Sequence, residues 1–166
     1  MKKSVIILIG IIYIASIFVV GFFGMQVKNY NVMVYIEDIE CTNEGIRTET
    51  NGNKTLKFKY ITNDPETGDP LTEEQKLLMN SVILTYELFP KNTTLKGKDA
   101  VMAFPDEQQV INGKVGEVDP AEYTRYTIAV VDDLTISFVK PGVLIVDLKS
   151  MDGSNVTETV KIIAYK

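Results

Sequence analysis

The sequence predicts an all-β sandwich behind a single N-terminal transmembrane helix, and three observations carry that expectation. Residues 4–27, SVIILIGIIYIASIFVVGFFGMQV, contain no charged side chain. Beyond them the apolar residues recur with a period of two, as they do in strands with one buried face. Gly, Pro, Asn and Asp interrupt those runs at short intervals, as the turns between strands would.

At a rise of about 1.5 Å per residue, residues 5–25 make a helix of roughly 30 Å, the hydrocarbon thickness of a bilayer. Val5, Ile9, Ile12, Ile17, Val20 and Phe23 are the side chains expected to anchor it in lipid. Lys2 and Lys3 precede the run, and that basic flank puts the N-terminus in the cytoplasm and the remainder outside. The competing reading is a cleaved signal, whose product would be secreted. A signal core runs for about 7–15 residues and ends at small residues. This run is longer and ends in Val20-Gly21-Phe22-Phe23, where phenylalanine crowds the subsites that need small side chains. A retained anchor over residues 1–28 and an outer domain over residues 29–166 are therefore expected.

Beyond residue 27 lie all 22 acidic residues and 15 of the 17 basic ones, which leaves a formal charge of −7. The chain has no run of Lys or Arg, so neither nucleic acid nor adhesion to an anionic membrane is expected. Cys41 is the single cysteine; it cannot close an internal disulfide and reads as a small buried hydrophobe.

Taken in order, Val32, Val34 and Ile36 alternate with Met33, Tyr35 and Glu37 as a half-buried first strand. Residues 41–53 read as a turn or open connection. Leu56, Phe58 and Tyr60 alternate with Lys57 and Lys59, the one-face-wet pattern of an antiparallel sheet. Residues 62–70, TNDPETGDP, are the most turn-rich stretch. Asp64, Glu66 and Asp69 offer the oxygens a hard cation takes, yet their spacing matches no cation loop, and Pro65 and Pro70 account for a rigid turn. A solvated loop is favoured, and no metal or cofactor is expected. Thr72 and Gln75 then form a capping-box pattern with Glu73 and Glu74 in the first turn, which predicts one short helix. Its Leu77, Leu78 and Met79 are expected to close one end of the core.

Val82, Leu84, Tyr86 and Leu88 share one face of the next strand, and Pro90 ends it. Short strands follow over residues 100–104 and 108–111, with Asn112-Gly113 as a hairpin-type turn. Residues 126–131 and 134–139 flank an Asp132-Asp133 turn. Pro141-Gly142 leads into residues 143–149, where Leu144, Val146 and Leu148 point inward. After Asp152-Gly153-Ser154 the last strand, residues 156–165, turns Val160, Ile162 and Ala164 to the core.

Residues 84–104, LTYELFPKNTTLKGKDAVMAF, resemble the early half of a group 2 bacterial immunoglobulin-like domain, the module of intimin- and invasin-like surface proteins. Pro90, Asn92, Thr94 and Lys96 stand where that family ends a strand and turns. Residues 136–162 are similar to its closing strands, with Gly142, the run 143–148, Asp152-Gly153 and Val160 in place. The chain departs from the family in having no Trp and in carrying the extra segment 62–80. The resemblance implies an immunoglobulin-like antiparallel sandwich that serves as a spacer, an adhesin or a module facing protein or carbohydrate, with no shared catalytic residues.

Enzyme chemistry finds little footing. The chain has no histidine, which removes the commonest general base and rules out Ser–His–Asp and Cys–His sites. It carries no phosphate-binding glycine loop. The carboxylate pairs Asp132-Asp133 and Glu73-Glu74 diverge on a strand or helix, so neither converges on a bond. Three N-x-[ST] triplets, at Asn53, Asn92 and Asn155, carry no meaning in a bacterial cell.

The expected function is non-catalytic: a bacterial cell-surface protein, anchored by one helix, whose domain serves adhesion, binding of protein or carbohydrate, or envelope structure. Its candidate partner-binding loop is the one with Asp64, Glu66 and Asp69, because insertions on rigid scaffolds carry contacts. The alternative is an accessory subunit of an envelope complex assembled partly through the anchor, where Gly10, Gly21 and Gly24 offer small packing surfaces.

Overall fold

The structure is a computed structural model that describes residues 3–27, 32–94 and 99–166. It divides into two units, Met1–Met33 and Val34–Lys166. Lys96, one of the residues carrying the family resemblance, lies outside the described residues.

The first unit is helix α1, Lys3–Val27, continuous over 25 residues. Val5, Ile9, Ile12, Ile17 and Val20 are all exposed along it, and the Phe23 side chain lies outside the described residues. Among the described residues no helix is long and apolar enough to cross a membrane.

In chain order the second unit begins with strands β1 (Asp38–Cys41), β2 (Arg47–Thr48) and β3 (Lys54–Lys59). Helix α2 (Glu73–Met79) follows, then β4 (Ser81–Ile83), β5 (Tyr86–Phe89) and β6 (Ala100–Ala103). The remaining strands are β7 (Val110–Asn112), β8 (Ala129–Asp132), β9 (Thr135–Phe138), β10 (Gly142–Ser150) and β11 (Thr157–Tyr165). They form three sheets, in the orders β2-β3-β11-β10-β6, β4-β9-β8-β7 and β1-β5.

An all-β sandwich is the result. Leu144, Val146 and Leu148 of β10 and Val160, Ile162 and Ala164 of β11 form one wall of the core, as their alternation predicts. Ala129 and Val131 of β8 and Ile136 and Phe138 of β9 join the same cluster from the four-stranded sheet. Between the layers the Phe58 and Phe138 rings meet edge-on at 5.2 Å, and the Tyr60 hydroxyl donates to the Val139 carbonyl at 2.9 Å. The two-stranded sheet adds Ile39 and Cys41 to that core.

Several elements depart from the sequence reading. Residues 32–37 are not a strand, although Ile36 is buried. Their amides find side chains instead of a ladder: Val34 N–H donates to Thr94 Oγ1 at 3.1 Å and Ile36 N–H to Asp152 Oδ2 at 2.6 Å. Their backbone pairing is sparse: the Val34 carbonyl accepts from Thr94 N–H at 3.3 Å and Glu37 N–H donates to the Phe89 carbonyl at 2.7 Å. The sandwich is also not purely antiparallel, because β3 runs parallel to β11 and β7 parallel to β8. Period-two alternation specifies which face is buried and is silent about direction. For the same reason Asn112-Gly113 is no hairpin turn. The Gly113 N–H donates to Val131 at the end of a parallel pair.

The run from Val82 to Leu88 keeps its common face but breaks at Leu84-Thr85. There β4 leaves β9 and β5 takes up pairing with β1, so one stretch of chain serves two sheets. The strand expected from residue 126 starts at Ala129. Two 3-10 turns, Glu107–Gln109 and Pro120–Glu122, are capped by Asp106 and Asp119 and interrupt regions read as strand or loop.

Candidate interaction surfaces

The loop at residues 62–70 is closed at its base by a bridge between Asn63 and Pro70. Asp64 Oδ1 accepts from the Glu66 amide at 2.8 Å and the Thr67 amide at 3.3 Å, an Asx turn that uses this carboxylate to shape the loop. Gly68 N–H returns to the Asp64 carbonyl. Glu66 and Asp69 are exposed and their side chains make no hydrogen bond or ion pair among the described residues. Among those residues, no three acidic, Cys or His groups lie together as a metal ion would require. The loop is a solvated, self-braced protrusion.

Helix α2 carries the full capping box read from the sequence, with Gln75 N–H on Thr72 Oγ1 and Thr72 N–H on Gln75 Oε1. Only Leu77 of its apolar trio is buried; Leu78 is 58% and Met79 44% exposed. Consecutive helix positions diverge by about 100°, so three in a row cannot face one core. The core is closed here by a residue the sequence did not single out. Asn80 is fully buried; its Oδ1 accepts from Ile61 N–H at 2.7 Å, and its Nδ2 donates to the Ile61 and Lys76 carbonyls at 2.8 Å each. A carboxamide has the donor and acceptor to pair both backbone groups of Ile61, as a strand neighbour would.

Cys41 is buried, as expected, and its thiol lies 3.2 Å from Asn43 Oδ1. Burial pushes that thiol above its ordinary pKa, which keeps it protonated and unreactive.

The outer face of the five-stranded sheet is the surface that the sequence order hides. The side chains opposite the core on β3, β11 and β10 include Lys57, Lys59, Lys161 and Lys149, and β2 adds Arg47. Pairing sets Ile163 beside Lys57, Tyr165 beside Lys59, and Ile145 beside Lys161. Thus five of the 14 basic residues of Val34–Lys166 lie on one face with Asp147 and Glu49 among them, while Asp64 lines a cleft with Lys59 and Glu107 lines one with Lys149. Asp147 Oδ1 accepts from the Thr159 hydroxyl and Glu49 Oε1 from the Thr55 hydroxyl, each at 2.8 Å, bonds that leave both carboxylates charged. None of the five cations has an ion pair among the described residues. At the β2 edge Arg47, Thr48, Lys57 and Tyr165 line a cleft of about 560 Å³.

No run of Lys or Arg in the sequence marks this group of cations. Its members lie between positions 47 and 161 and are brought together by sheet order alone. The wet-face alternation of Lys57 and Lys59 was the one local sign. Comparison of the chain with protein-family models and with curated proteins finds no match.

Proposed function

We propose that this chain is a single-pass protein of the bacterial cell surface whose outer unit is an immunoglobulin-like sandwich that binds or spaces and does not catalyse. The observation that carries this reading is the strand order. An immunoglobulin-type sandwich puts strands A, B, E and D in one sheet and C, F and G in the other. Taking β1 as A, β4 with β5 as B, β6 as C, β8 as D, β9 as E, β10 as F and β11 as G follows both neighbour orders, with A paired to B in a separate two-stranded sheet and β7 added parallel beside D. The extra parallel strand β3 extends the second sheet beyond β11. The sequence supports the anchor: residues 4–27 hold no charge, and as one helix they would span about 36 Å at the usual rise.

The domain faces outward, and a Lys166→Cys variant tests that. A membrane-impermeant maleimide should label it in intact protoplasts, while buried Cys41 stays unlabelled in the folded protein. Labelling that requires lysis would contradict the orientation. For the loop, replacing only residues 64–69 by a short turn is the appropriate test of partner capture. Removal of all of 62–80 would take Leu71, Leu77 and Asn80 out of the interior.

A second reading, an accessory subunit assembled through its anchor, is favoured by one feature of α1. Tyr13, Ser16, Ile17, Val20 and Gly21 line a shallow notch on one side of the helix. Exchange of α1 for an unrelated apolar helix should leave a display module working and disable an assembly subunit.

A further inference from the structure

We infer that the cleft at the β2 edge binds a neutral saccharide; this rests on the reading of the outer unit as a binding module and names its ligand class. The cleft volume of about 560 Å³ falls within the roughly 300–1,000 Å³ of small-molecule sites. Its floor is Thr55, 2% exposed, whose hydroxyl donates to Glu49 Oε1 at 2.8 Å. The turn between β2 and β3 fixes Glu49 as well: its N–H donates to the Asn53 carbonyl at 2.8 Å, and its carbonyl accepts from Gly52 N–H at 2.9 Å. Arg47 pairs with Thr55 across the ladder and Lys57 follows two residues on, so both share the face of Thr55. Tyr165 arrives from the end of β11, half exposed, with its backbone carbonyl accepting from Tyr60 N–H at 2.6 Å. A carboxylate, two cations and an aromatic ring thus line one space, each on a hydrogen-bonded strand or turn.

The mixed charge of the cleft selects against ionic ligands. Among the described residues neither Arg47 nor Lys57 forms an ion pair with Glu49, although all three line the same space. An anion drawn to the two cations meets the Glu49 carboxylate, on a unit whose 14 basic and 22 acidic residues leave a formal charge of −8. A cation meets Arg47 and Lys57. A hydroxyl group suits both signs, because its oxygen accepts from a guanidinium or ammonium while its proton goes to a carboxylate. A pyranose ring carries such hydroxyls side by side, and its C–H face is apolar and flat enough to lie on an exposed tyrosine ring. A zwitterionic amino acid also matches both signs. In a cleft open to water its ion pairs are screened, however, and a small one has no flat face for Tyr165.

Saturation-transfer NMR on the full chain in phosphatidylcholine nanodiscs tests the inference, with empty discs as the blank. The neutral probes are cellotriose, maltotriose and tri-N-acetylchitotriose; trigalacturonate serves as the anion and alanine as the zwitterion. At least one neutral trisaccharide should receive saturation, and trigalacturonate and alanine should not. Glu49→Gln keeps an oxygen for the Thr55 hydroxyl but loses the charged acceptor, and should weaken binding about tenfold. Tyr165→Ala should weaken it about fivefold. Lys91→Gln, outside the cleft, should bind as wild type does, and all three variants should keep the wild-type circular dichroism. Absence of saturation in all three neutral sugars overturns the site. Sugar binding that Glu49→Gln and Tyr165→Ala both leave unchanged overturns it too, by placing the sugar elsewhere. Tighter binding of alanine or trigalacturonate overturns the ligand class. The Lys166→Cys labelling reads the orientation separately. A cleft that binds no sugar therefore leaves an outward-facing protein standing, whereas labelling that requires lysis overturns the surface reading whatever the cleft binds.

Discussion

Asn80 shows how much one buried carboxamide can decide. It pairs both backbone groups of Ile61 and caps the Lys76 carbonyl, and its own carbonyl accepts from Phe138 N–H. Asn80→Ala leaves the Ile61 N–H and carbonyl without that partner, while the Lys76 carbonyl and Phe138 N–H keep the backbone of residue 80, so unfolding by denaturant should show a loss of about 2–3 kcal/mol. A loss below about 1 kcal/mol would contradict this role. Tyr123 is the opposite case. Its hydroxyl is buried with no hydrogen-bond partner, and burial, then the Glu73 and Asp119 carboxylates, push its pKa up. Tyr123→Phe removes an unsatisfied group and should leave the unfolding midpoint unchanged or higher; a clear fall would show that the hydroxyl has a partner. Asp152 ties the start of the domain to its last turn. Burial pushes its carboxyl up, and hydrogen bonds from Ser154 and the Ile36 N–H outweigh that, leaving it below its ordinary value. A carboxylate depressed on folding stabilises above its unfolded value of about 4, and that contribution fades as pH falls through the folded value. Wild type should therefore lose stability more steeply than Asp152→Asn on acidification below about pH 4. Parallel profiles would refute the contribution.

At the scale of elements, what could be read from the sequence was facing, and what could not was pairing. Every inward residue assigned to β10 and β11 is buried, because alternation is a local property of a pleated strand. The capping box of α2 was equally local. Parallel β3–β11 pairing and the switch of β4 to β5 between sheets depend on partners more than 40 residues away, and no window of sequence contains them. Within α2 the distinction is testable with two variants. Leu77→Ala should cost about 2–3 kcal/mol for a buried side chain, whereas Leu78→Ala should stay within about 0.5 kcal/mol. Equal losses would mean that the helix packs by a different face.

At the scale of the whole molecule, charge is segregated as well as unbalanced. The sequence shows an acidic chain with scattered lysines; the sheet order gathers five cations on one face. The loop at residues 62–70 is contiguous in sequence, whereas this face is assembled only by the fold. The extended acidic loop braces itself through Asp64. The two units make one proposal: an apolar helix that holds the protein at a membrane, and a sandwich displayed outside it. The most direct measurement is the mass of the membrane-associated protein before and after protease is added to intact protoplasts. The account predicts full-length mass first, and then a protected fragment of roughly the first 28 residues, the length needed to span a bilayer. A shortened protein in the medium, or an untouched full-length chain after protease, would contradict it.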